Sequence, residues 1–99
     1  MRVLVNRNNV FIDEQNWSFS DEVHYELVSY TTLAMTITFQ TAKNTLEVHM
    51  LVENTSRTTR RHINEFIDIV CDEWFLGEHI RKEIANISKR KSFKRMRIE

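Results

Sequence analysis

Hydrophobic and polar residues alternate most cleanly in the middle of the chain. Leu33, Met35, Ile37 and Phe39 alternate with Ala34, Thr36, Thr38 and Gln40, and Leu46, Val48, Met50 and Val52 alternate with Glu47, His49, Leu51 and Glu53. Two period-two segments joined by residues 41–44 predict an antiparallel hairpin with one buried face and one face of Thr, Glu and His. Upstream, residues 2–5 and 10–12 are short β-prone runs flanking an Asn-rich turn, since Asn tolerates left-handed backbone angles. Residues 13–16 read as a loop. Residues 21–32 carry conflicting signals. Ser20 followed by Asp21 and Glu22 resembles a helix start, but alternating Val23, Tyr25 and Leu27 and the β-branched and aromatic content favour a strand.

After residue 53 the period changes. Ile63, Phe66, Ile67, Val70, Cys71 and Trp74 recur at spacings of three and four, which predicts a long amphipathic helix over 56–76. Asn54, Thr55 and Ser56 are its candidate N-caps, and Gly77 suits the left-handed position that would close it. Ile80, Ile84 and Ile87 predict a second helix over 78–91, and residues 92–99 read as a basic tail. Strands over 1–53 followed by helices indicate one α+β domain. An antiparallel sheet of about four strands is covered on one face by two C-terminal helices.

Ninety-nine residues suit a single core, and 41% apolar content is enough to build one. Proline is absent and Gly77 is the one glycine, so turns fall to Asn, Asp, Ser, Thr and Lys. A single cysteine, Cys71, allows no internal disulfide and sits in the apolar stripe as a small hydrophobe. No apolar run reaches the roughly 18 residues a membrane span needs, and the first residues turn polar too soon for a signal peptide. A cytoplasmic protein is expected. The net charge is zero, but residues 1–56 hold three basic and seven acidic residues, while 57–99 hold eleven basic and seven acidic. The chain is therefore a charge dipole in sequence.

Two basic clusters follow from that asymmetry. Arg57, Arg60 and Arg61 fall at the start of the long helix, where partial positive charge makes them unfavourable by a few tenths of a kcal/mol each. A choice that opposes local stability suits an anion or an acidic partner surface, with the hydroxyls of Ser56, Thr58 and Thr59 adding to the site. The plainer reading is a solvated face whose arginines reach Glu65 or other acids. The second cluster comprises Lys89, Arg90, Lys91, Lys94, Arg95 and Arg97, with Phe93 and Met96 interleaved. Several cations and a stacking ring suit a phosphate backbone. An acidic protein partner or a solubilising end would fit as well.

Signals for catalysis are weaker. His24, His49, His62 and His79 never share a metal-ligand spacing, and one cysteine leaves no closed zinc site without distant ligands. One glycine excludes glycine-rich phosphate loops and the nucleophile elbow. The carboxylate pairs Asp13–Glu14 and Asp21–Glu22 read as loop or cap residues, and core packing accounts for most of Trp17, Phe19, Tyr25 and Tyr30. No enzyme, cofactor or metal is expected. The expectation is a small binding protein contacting nucleic acid, or a nucleic-acid-handling protein, through the nine basic residues. The alternative is a protein that docks on a host enzyme or defence complex and inhibits it. The proline-free, Asn- and Ile-leaning composition has the look of a phage or mobile-element reading frame. Homodimerisation is compatible with either.

Overall fold

A computed structural model describes residues 1–53 and 55–98, so the N-cap candidate Asn54 lies outside the described residues. Six strands form one antiparallel sheet: β1 (Arg2–Arg7), β2 (Val10–Trp17), β3 (Glu22–Ser29), β4 (Thr32–Gln40), β5 (Thr45–Met50) and β6 (Ser92–Arg97). Their spatial order follows the chain. Two helices, α1 (Arg57–Glu73) and α2 (Glu78–Ile87), lie between β5 and β6 in sequence and cover one face. The α+β class and the helical layer follow the expectation; the sheet has six strands instead of about four.

The strand residues that were not expected, the rest of β2 and the whole of β6, come from segments whose polarity hid them. Residues 13–16 form the second half of β2, with Asp13 opposite Glu26 and Glu14 opposite Tyr25. Residues 92–97 are a strand, not a tail. Ser92, Lys94 and Met96 alternate with Phe93, Arg95 and Arg97, so Met96 meets Leu46 and is buried. The density of Lys and Arg masks that period. The second helix accordingly ends at Ile87, not 91, and the chain turns through residues 88–91 into β6. Residues 22–29 are a strand, as the alternation favoured.

The core lies between sheet and helices. Ile12, Tyr25, Leu27, Met35, Ile37, Phe39, Leu46 and Val48 meet Ile63, Phe66, Ile67, Val70, Ile80 and Ile84 in one cluster. Each such side chain contributes about 1.5–3 kcal/mol before entropy costs. Trp74 stacks on Phe39 at 4.0 Å between ring centroids and donates its Nε1–H to the Tyr25 hydroxyl at 2.8 Å. Tyr25 in turn donates to Glu14 Oε2 at 2.7 Å, and burial pushes its phenol well above the ordinary range. Leu33 departs from its expected face. A bulge lets Met35 pair with Leu27 and Leu33 with Val28, which carries Leu33 to the uncovered side.

Helix caps also differ from the expected glycine closure. Ser56 caps α1 by accepting from the Thr59 amide at 3.1 Å. At the other end Phe75 takes the left-handed conformation, φ 53°. The Leu76 amide then donates back to the Cys71 carbonyl at 2.9 Å, a Schellman closure. Gly77 has φ −68° and instead starts α2, its carbonyl accepting from Ile80 and Arg81 at 3.1 Å. Of the four aromatics assigned mostly to the core, Tyr25 is buried there, while Trp17, Phe19 and Tyr30 are exposed.

Candidate functional site

Arg60 joins the two basic segments. Its Nη1 donates to Ser88 Oγ at 2.9 Å and its Nη2 to the Ser88 carbonyl at 2.7 Å. Ser88 is the fully buried C-cap of α2, so the guanidinium sits at the negative end of that helix dipole. Arg60 is therefore committed to the fold. Its grip sets the first turn of α1 beside the turn that follows α2. The Lys91 amide donates to Glu53 Oε1 at 2.8 Å and fixes that turn against the segment leading into α1. Arg57 and Arg61 at the start of α1, with Lys89, Arg90 and Lys91, thus form an exposed basic end of the molecule.

The remaining three candidates do not join it. Lys94 points towards α2 and is paired with Glu83. Arg95 lies on the opposite sheet face, giving two hydrogen bonds to Glu47 Oε2 at 2.8 and 2.6 Å. Arg97, two residues on, shares that face and has no ion-pair partner among the described residues. Of the hydroxyls expected to add to an anion site, Ser56 and Thr59 serve the helix cap, and Thr59 also accepts from Ser29 at 3.1 Å.

Thr58 and Arg61 line a cavity of about 250 Å³ with Arg7, His62 and Glu65. Arg7, on β1, forks onto Glu65 at 2.9 and 2.5 Å and holds that carboxyl below its ordinary range. Thus Arg7, not the helix-start arginines, reaches Glu65. His62 Nδ1 lies 2.8 Å from Ser29 Oγ, and burial pushes its pKa down, opposed by Glu65 and aided by Arg7 and Arg61. A neutral imidazole beside two guanidiniums and one already paired carboxylate leaves a surface that favours anions. Sequence reasoning missed Arg7 because the contact depends on how an edge strand meets a helix more than fifty residues later.

On the uncovered face His24 connects Thr38 Oγ1, 2.7 Å from Nδ1, with Glu26 Oε2, 2.8 Å from Nε2, and Trp17 stacks over the imidazole at 4.3 Å. Hydroxyl, imidazole and carboxylate follow the order found in nucleophilic catalysis. Here the order follows from strand register: His24 is opposite Thr38, and Glu26 is two residues along on the same face. Thr38 is in an interior strand hydrogen-bonded on both sides, which leaves no neighbouring amide free to stabilise an oxyanion. We read this group as a lateral tie across the sheet. Burial pushes the Cys71 thiol up to about 11, which makes it a core residue and a poor nucleophile at neutral pH.

Among the described residues no group of three His, Cys, Asp or Glu is placed to hold a metal ion, and no helix is long and apolar enough to cross a membrane. No protein-family model, curated protein or solved structure matches the chain.

Proposed function

We propose that the protein is a non-catalytic binding module of the cytoplasm. It contacts nucleic acid, or the acidic surface of a nucleic-acid-handling protein, through the basic end formed by Arg57, Arg61, Lys89, Arg90 and Lys91. The observation that carries this reading is the Arg60–Ser88 clamp, which unites two cationic segments almost thirty residues apart. Cations gathered on one rigid end release counterions together when they meet a phosphate backbone. The anion-favouring cavity beside Arg61 extends the same surface towards β1. Binding to short labelled single- and double-stranded DNA and RNA at low and moderate salt tests it. Affinity that falls steeply with salt supports the reading, and no binding at low salt contradicts it.

A second reading, docking on a host enzyme or defence complex as an inhibitor of phage or mobile-element origin, draws on a different surface. Phe19, in the connection between β2 and β3, and Phe75, after α1, are both almost wholly exposed at the end away from the basic cluster. Exposed aromatic tips suit a protein contact, which would tolerate salt better.

A further inference from the structure

The sheet face turned away from the helices has no layer over it, and its charges are sorted by strand. Strand register places Trp17, Glu22, Gln40, Thr45 and Arg97 in one row across it. Two residues along, the Gln15 row ends at Glu47 and Arg95; four residues along, Asp13 is opposite Glu26 and the row ends at Phe93. Asp13, Glu22 and Glu26 therefore gather on β2 and β3; on the other side Glu47 of β5 holds Arg95 of β6, and Arg97 is the β6 cation without an ion-pair partner among the described residues. Asp13 and Glu26 are carboxylates directly opposite each other, an unfavourable pair in which Glu26 is bonded to His24 and Asp13 has no ion-pair partner among the described residues. Asp13 Oδ1 is buried and accepts no hydrogen bond from any described residue. Trp17, Leu33 and Phe93 are 40%, 39% and 50% exposed on the same face.

We propose that a second copy of this chain covers this face, sheet against sheet, about a two-fold axis parallel to the strands. Such an axis reverses strand order across the interface but keeps position along the strands. It sets β6 of each copy over β1 and β2 of the other. Arg97 then arrives over the row of Trp17 and Glu22, where a guanidinium finds both an aromatic face and a carboxylate. The other in-plane axis, perpendicular to the strands, would stack β6 on β6 and oppose like charges. Charge complementarity selects the first.

Six strands at about 4.8 Å spacing and roughly 20 Å of strand length give a face of about 500 Å² per copy before side-chain relief, near the lower end for specific association. A face of this size suits a reversible dimer over an obligate one. This inference does not depend on the polyanion reading. It leaves the basic ends uncovered and turns both the same way.

Sedimentation equilibrium of the full chain, from about 1 μM to about 1 mM, tests it alongside Glu22→Lys, Arg97→Glu and the double variant. Each reversal alone weakens dimerisation by about tenfold or more, and the double variant recovers most of the loss. Within one copy Glu22 and Arg97 are three strands apart, about 14 Å, so recovery reports a contact between copies. Both side chains lie at the surface, and thermal melts check that each variant folds. A chain that stays monomeric at the highest concentration overturns the proposal and leaves the face to a different partner. A dimer indifferent to both reversals, or one that the double variant fails to recover, also overturns it.

Discussion

The Arg60 guanidinium holds both the hydroxyl and the carbonyl of Ser88, at 2.9 and 2.7 Å, and so ties the start of α1 to the end of α2. Arginines 57, 60 and 61 look equivalent in sequence, yet they have different tasks. Arg60→Ala leaves the buried Ser88 groups without their donor and is expected to cost about 1–3 kcal/mol, lowering the melting temperature by roughly 4–8 °C per kcal/mol. Arg57→Ala, at an exposed position, should stay within about 0.5 kcal/mol of the parent. Urea denaturation of the two variants checks the contrast.

Removing residues 92–99 is expected to damage the fold instead of trimming a tail. Met96 is buried against Leu46, and the Ile98 amide donates to the Asn44 carbonyl at 2.9 Å. Met96 burial alone accounts for about 1.5–3 kcal/mol, and Leu46 and Val48 would lose their cover. Circular dichroism melts of the truncated chain should show a large loss of stability or no cooperative transition. Point substitutions at 89–91 are therefore the cleaner probes of binding.

Those two cases show what the sequence reveals and what it hides. The central hairpin was legible because apolar residues alternate with Thr, Glu and His over eight positions twice. The α1 stripe was legible because its spacing is regular. β6 was hidden because Lys94, Arg95 and Arg97 make a strand resemble a charged tail, and the second half of β2 because Asp13, Glu14, Gln15 and Asn16 are typical loop residues. The basic end was half visible: its cations are evident in the chain, but their meeting depends on Arg60 and Ser88. The Arg7 contribution had no local signal, since a lone arginine on an edge strand says nothing about the helix it will meet.

Stability should fall on mild acidification because of His62. Burial lowers its folded-state pKa below the ordinary 6.5, so the unfolded chain takes up a proton that the folded one refuses. The contribution is fully present above that value and is lost as pH falls from it towards the lowered one. Glu65, held down chiefly by its bonds to Arg7, adds a separate loss as pH falls below its ordinary 4.5. Denaturation between pH 5 and pH 8 should show the first slope, flattened in His62→Gln. An unchanged slope in that variant would assign the effect elsewhere.

Cys71 is expected to resist alkylation in the folded protein. It is buried in the α1 stripe with its thiol pushed up to about 11, so little thiolate exists at neutral pH and reagents lack access. Labelling with a thiol reagent should be slow in buffer and complete in denaturant. Fast labelling in buffer would contradict the burial.

A salt titration of binding measures the role of the basic end most directly. Five cations meeting a nucleic acid predict a slope of log K against log salt of about −3.5 to −4.5, given about 0.7–0.9 per phosphate contact. The triple variant Lys89→Ala, Arg90→Ala and Lys91→Ala should bind more weakly and lose about two to three from that slope, while Lys94→Ala, whose cation already pairs with Glu83, should leave it nearly unchanged. Fluorescence anisotropy with a short labelled oligonucleotide gives both numbers. A triple variant that binds like the parent with the same slope, or no binding by either protein at low salt, would contradict the account.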